Sequence, residues 1–311
     1  MKNLKKVKVD KTKSFYLVTL GSAFFIFLIL AFLNFSVKRE MSSLEVFLNP
    51  LNFKAEDYPV INNNLVPQIS AQGAIVIDKA SHVPIFEKNS HLRFPPASTT
   101  KIMTALVALD YYKPDDTLVI KTATVEGSII GFSENEKFRF QDLFYAMLLP
   151  SANEATLAIA QNYPGGEKEF VKDMNKKAKE LHLLNTHYAD PIGLEDERDY
   201  TTSLDLARLA VIALENQEFA KAVATKNLQI ESRDGNKYLL YNLNKLLDLP
   251  GISGVKTGFT EVAGQVLVTS KKIENTNQEV IIVVMQSQDR FLDTEILLNY
   301  LSGLNYQPIH P

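Results

Sequence analysis

The chain has 311 residues, 46% of them apolar and 22% charged, with a formal net charge of −3; it can bury a sizeable core and is neither disordered nor a fibrous repeat. Cysteine is absent, which excludes a disulfide framework and thiolate chemistry. The histidines His82, His91, His182, His187 and His310 show no HExxH or comparable ligand spacing, so neither a metal nor another cofactor is expected, and no nucleic-acid partner.

The balance of charge is uneven along the chain. Residues 1–14 hold Lys2, Lys5, Lys6, Lys8, Lys11 and Lys13 against Asp10 and read as a basic cytoplasmic tail. Residues 15–37, FYLVTLGSAFFIFLILAFLNFSV, carry no charge, and at ~1.5 Å rise per residue such a helix crosses a ~30 Å hydrocarbon layer. A cleavable signal peptide is the competing reading. Its apolar core would be only ~7–15 residues long, and no small-x-small site precedes Lys38 and Arg39, so an uncleaved single-pass anchor is expected. The lysines keep the N-terminus inside, which puts the rest of the chain outside the cell, away from cytoplasmic ATP and NAD.

Residues 38–67 mix prolines, asparagines and charges without a period and read as a stalk. GAIVIDKASHVPIFEKN then suggests a β-hairpin around a polar turn. From Ser98 to about Leu214 the period is helical, in KIMTALVALDYY, FQDLFYAMLLPSANEATLAIAQNY, KEFVKDMNKKAKELHLL and SLDLARLAVIALENQ. Strand character returns in ISGVKTGF, GQVLVTSKKI and EVIIVVMQS, and RFLDTEILLNYLSG closes the chain as an amphipathic helix. Strands at both ends with helices between predict an α+β fold, an antiparallel sheet built from both ends of the domain with a helical insertion.

In PPASTTK, Pro95 and Pro96 hold the entry extended and bring Ser98 to a helix N-terminus, with Lys101 one turn on and on the same face. A lone serine is a weak nucleophile; a neutral lysine can serve as its base, and the apolar IMTALVAL behind Lys101 supplies the burial that neutralises it. The same spacing occurs in Ser253-Gly-Val-Lys256, so the pattern alone leaves open a plain N-cap at Ser98. Two further patterns add weight. Ser151-Ala152-Asn153 falls at a helix junction in apolar sequence, whereas Ser133-Glu134-Asn135 lies in the charged run SENEK and reads as a turn. Lys256-Thr257-Gly258 lies on an expected strand.

SxxK, SxN and KTG in this order, with PPASTTKIMTAL, LLPSANEA, FVKDMNKKAKEL, DPIGL and GVKTGFTEVAG, resemble the D-alanyl-D-alanine carboxypeptidases, the low-molecular-mass penicillin-binding proteins. The likeness runs from Gln68 to Leu304 and implies a β-lactamase/transpeptidase-like fold, with a serine D,D-peptidase domain over residues 68–305. It also implies that Ser98 is acylated, Lys101 is its general base and Ser151 relays a proton to the leaving amine. Asn153 would bind the substrate amide, Lys256 and Thr257 its terminal carboxylate, with Gly258 letting the strand approach. Backbone N–H groups of Ser98 and Phe259 would form the oxyanion hole, and Arg290 would stand beside the carboxylate site. Peptidoglycan stem peptides are then the substrate, β-lactams are covalent inhibitors, and the protein is a bacterial membrane enzyme held by its N-terminal helix.

Two departures stand out: Glu154 follows SAN where the family more often has aspartate, and no C-terminal β-domain follows residue 305. A D,D-endopeptidase, a β-lactamase and a catalytically dead wall-binding module remain as rivals. Against the β-lactamase, Glu-x-x-Leu-Asn is not met, since Glu180 precedes Leu184-Asn185 by one residue too many.

Overall fold

The computed structural model describes residues 57–62, 66–194, 197–274 and 276–308. The tail, the expected anchor and the first part of the stalk lie outside them; no helix among the described residues is long and apolar enough to cross a membrane.

The chain enters through β1 (Asp57–Ile61) and the hairpin β2 (Gly73–Asp78) and β3 (Pro84–Lys88). A 3-10 turn, Ala97–Thr100, runs into α1 (Lys101–Tyr111), then come β4 (Thr117–Val119), β5 (Lys137–Arg139), α2 (Phe140–Leu148), α3 (Asn153–Asn162) and α4 (Gly166–Glu180). Next follow α5 (Ser203–Glu215), α6 (Gln217–Ala224), β6 (Asn227–Glu231) and β7 (Lys237–Tyr241). β8 (Ile252–Thr260), β9 (Gly264–Lys272), β10 (Glu279–Ser287), α7 (Arg290–Tyr300) and β11 (Leu304–Pro308) complete it.

The central sheet has the order β3-β2-β10-β9-β8 with every neighbouring pair antiparallel, so it is assembled from both ends of the domain as expected. Alternation in β10 explains the unbroken apolar run EVIIVVMQS. Ile281, Val283 and Met285 enter the larger core under α1–α6, while Val280, Ile282 and Val284 enter a smaller one with Leu297 and Leu301. Both faces are dry, and each fully buried aliphatic contributes roughly 1.5–3 kcal/mol.

Local chemistry sets the breaks between helices. Asn216 caps α6 by accepting from Glu218 N and Phe219 N, which ends α5 and starts a helix that the sequence reading had not separated. Thr202 caps α5 and Asp289 caps α7 in the same way. Between α2 and α3, Ser151 takes the left-handed conformation at φ 64°, and the expected junction at Ser151-Ala152-Asn153 is there. Residues 57–61, inside the expected stalk, instead form β1 and pair antiparallel with β11; the pairing partner is at the other end of the chain and leaves no local signal.

Candidate active site

Ser98 sits in the 3-10 turn, half-buried, and Lys101 opens α1 with its side chain 0% exposed. Lys101 Nζ lies 2.9 Å from Ser98 Oγ, 2.8 Å from Asn153 Oδ1 and 2.9 Å from the Ile192 carbonyl oxygen. The last two can only accept. A neutral amine therefore spends both N–H groups on them, and its lone pair is left facing the Ser98 hydroxyl. Burial pulls the Lys101 pKa down to about 7, against the nearby Asp190 and Glu154 carboxylates. Close to neutrality, then, a large share of the molecules hold a base beside the serine.

The DPIGL block, to which sequence gave no role, supplies one of those acceptors. Asp190 Oδ1 accepts from the N–H groups of Ile192 at 2.7 Å and Gly193 at 2.6 Å, and the Thr104 hydroxyl donates to the Pro191 carbonyl at 2.6 Å. These bonds fix the turn that presents the Ile192 carbonyl to Lys101. Gly193, at φ 78°, is pressed on the 3-10 turn so closely that a methyl group there would run into the Ala97 carbonyl. An aspartate before proline is a turn signal, but its partner helix is ninety residues away in sequence and invisible to it.

A second serine and lysine meet across the same region. Ser151 is 2% exposed, and Lys256, 1% exposed on β8, donates to Ser151 Oγ at 2.9 Å and to the Thr257 carbonyl at 3.0 Å. Burial, and then the cations of Lys101 and Arg290, hold Lys256 well below the usual lysine range. Like-charge repulsion thus bears on Lys256, whereas Lys101 is lowered by burial alone.

A cleft of about 700 Å³ opens over these groups, lined by Ser98, Ser151, Asn153, Thr257, Gly258, Phe259 and Arg290 among others. One wall is β8, an edge strand of the sheet. A methyl on Gly258 would stand 3.1 Å from Ala97 Cβ and 3.2 Å from Ser98 N, so glycine lets the strand close on the serine turn. Phe259 turns its ring out, 55% exposed. Arg290 Nη1 donates to the Gly258 carbonyl at 2.7 Å, while its Nε is buried without a hydrogen-bond partner.

The serine of the first decoy motif and the whole of the second lie elsewhere. Ser253 hydrogen-bonds Ser270 and Glu279, and Asn135 is a left-handed turn residue at φ 67°. Glu180 borders a separate small hollow with Asp110 and Tyr163.

The model of the D-alanyl-D-alanine carboxypeptidase family matches residues 61–289. The D-alanyl-D-alanine carboxypeptidase DacF of Bacillus subtilis is 33% identical over 77% of this chain, which spans 64% of that protein's length. A D-alanyl-D-alanine endopeptidase of Escherichia coli is 32% identical over 78% of this chain and 81% of its own. Among solved structures, the Streptomyces K15 DD-transpeptidase superposes with a TM-score of 0.71 at 28% identity, over 76% of this chain and 98% of its own.

Proposed function

The chain belongs to the D-alanyl-D-alanine carboxypeptidase family, and from that premise we propose that it is a serine-type peptidase that removes the terminal D-alanine from peptidoglycan stem peptides. The observation that carries the reading is a fully buried lysine of pKa about 7 standing 2.9 Å from Ser98 Oγ.

In the proposed acylation, Ser98 Oγ attacks the carbonyl carbon of the penultimate D-alanine while its proton passes to Lys101 Nζ. The carbonyl oxygen takes up the displaced electron pair between the N–H groups of Ser98 and Phe259, a pair of donors each worth ~2.7–4 kcal/mol in such sites. Collapse breaks the C–N bond, and the proton that Lys101 took from Ser98 passes by way of the Ser151 hydroxyl, which Lys256 holds at 2.9 Å, to the leaving amine, so that Lys101 is neutral again. Water then attacks the ester with Lys101 again as base, and releases the shortened peptide. Asn153, tied to Lys101, binds the substrate amide.

The terminal carboxylate falls to Thr257 and Arg290, both of which line the cleft. Lys256, engaged with Ser151, acts on it only through its charge. β-Lactams, whose strained amide takes the place of the scissile bond, would leave a covalent adduct on Ser98.

Residues 15–37 serve in this proposal as a single-pass membrane anchor, with residues 1–14 inside, a stalk reaching toward residue 67 and a peptidase domain over 68–305 outside the cell; the charge-free run and the lysines before it support this. A mature N-terminus found between residues 34 and 45 would show cleavage in place of anchoring.

A D,D-endopeptidase that cuts cross-links is the second reading, favoured by the E. coli endopeptidase, which the chain covers over 81% of its length. The test incubates the protein with a pentapeptide ending in D-Ala-D-Ala and with a cross-linked dimer. Released D-alanine from the first supports the carboxypeptidase; cleavage of the dimer alone replaces it with the endopeptidase.

A further inference from the structure

Glu154 follows the SxN motif in the first turn of α3 and is 0% exposed. Its Oε1 accepts from the backbone N–H of Ile130 at 2.5 Å and of Gly131 at 2.9 Å, and its Oε2 is buried without a hydrogen-bond partner. A buried carboxylate with an idle oxygen is unfavourable. The apolar packing of α3 has no use for it either, because Ala155, Ala158 and Ile159 of the same helix supply that packing.

The loop that Glu154 grips is the one that holds Asn153. The Ser128 carbonyl accepts from Asn153 N at 2.7 Å, and the Glu126 carbonyl accepts from Asn153 Nδ2 at 2.5 Å. A methyl on Gly127 would stand 2.7 Å from the same Nδ2. With its nitrogen fixed on this loop, the Asn153 amide has its oxygen left for Lys101, and Lys101 in turn has its lone pair left for Ser98.

We propose that Glu154 is a positioning residue for acylation: it anchors the 126–131 loop so that Asn153 turns its carbonyl oxygen to Lys101. The proposal rests on the serine-peptidase reading. An aspartate would keep the charge but be ~1.5 Å shorter, too short to hold both N–H groups unless the loop moves in. The glutamate charge has a second effect. Lys101 is faced by Asn153 and Glu154 from α3, by Asp190 and the Ile192 carbonyl from the 190–193 turn and by Lys256 from β8, with Arg290 beyond. Of these, the Glu154 and Asp190 carboxylates favour its protonated form.

Stopped-flow acylation by penicillin, followed across the pH range around neutrality, tests this with Glu154→Gln, Glu154→Asp and Gly127→Ala. Glu154→Gln keeps the size and removes the charge, so the acid limb should move to lower pH by roughly one unit. Glu154→Asp and Gly127→Ala should lower the plateau by about tenfold or more, since an ångström of misplacement has that effect on oriented groups. Should those two variants not fold, the limb of Glu154→Gln decides. An unmoved limb in Glu154→Gln, or a plateau within about twofold of wild type in a folded Glu154→Asp, overturns the role of Glu154. Absence of labelling in wild type overturns the peptidase reading itself, which keeps the two failures distinct.

Discussion

Ser98 and Ser151 each stand 2.9 Å from a buried lysine, yet the two pairs are built in different ways. Lys101 is one turn from Ser98 on the same backbone, so the contact follows from helical geometry alone. Lys256 comes to Ser151 from a strand 105 residues away and meets a serine held at positive φ. The surroundings differ too. Lys101 faces two obligate acceptors and two carboxylates, whereas Lys256 has a hydroxyl and a carbonyl for partners and two cations for neighbours. In the proposed mechanism the first lysine takes a proton from its serine, and the second only orients its serine for the relay.

The largest effect should come from exchanging the two hydroxyls. Ser98→Ala is expected to abolish covalent penicillin labelling, while Ser151→Ala keeps the adduct on Ser98 and forms it about 10²-fold more slowly. Mass spectrometry of the labelled peptide separates them; an adduct on Ser151 would reverse the assignment of the pairs.

Next comes the proton. Wild-type acylation should rise with pH through about 7 as Lys101 loses its charge, and Lys101→Arg should fall about 10²–10⁴-fold without recovering at higher pH, since a guanidinium stays protonated. The same group shapes stability. Its pKa drops from 10.5 to about 7 on folding, so between those values the unfolded chain binds more protons, and stability rises with pH across that window. Urea denaturation of Lys101→Met should show a flatter profile there, with its advantage over wild type greatest at pH 7 and below.

A smaller effect is expected at Arg290. A free carboxylate makes charge-assisted bonds of ~1.5–3 kcal/mol that an amide cannot reproduce, a preference of roughly 10- to 150-fold. Arg290→Ala should shrink that preference while leaving Ser98 open to penicillin; equal cleavage of free and amidated peptides by wild type would move the endopeptidase reading ahead. The smallest change is Gly258→Ala. Its methyl meets neighbours at 3.1–3.3 Å, so the strand need give only a few tenths of an ångström, and acylation should slow by about 3- to 10-fold.

The same contrast marks what the sequence made legible. The Ser98–Lys101 spacing, the hairpin β2–β3 and the apolar run of β10 are local patterns and were readable as such, although Pro96, expected to be extended, is helical at φ −75° and ψ −20° because it opens the 3-10 turn. Ser151 and Lys256 were named from their motifs and the resemblance, with separate duties; their contact with each other is tertiary. Glu154 showed only as a departure from aspartate, because the N–H groups it binds are more than twenty residues upstream. Residues 218–251 had suggested no element, although they form most of α6 and the β6–β7 hairpin. Their strands are five residues long with one buried position in each, too faint an alternation to stand out.

The sheet order also has a consequence for how the cleft comes into being. β2 meets β10 through partners as distant as Gly73 and Met285, so closing the sheet joins the two ends of the domain over a long loop, a slow step in any folding reaction. The Ser98 turn can form early by itself, but β8 carries Lys256 into place only by pairing with β9, beside β10. A nascent chain therefore holds a serine and a lysine in register long before it holds a complete cleft. In refolding, penicillin labelling should appear with the last kinetic phase of the far-UV signal, making the acylated fraction a count of completed molecules.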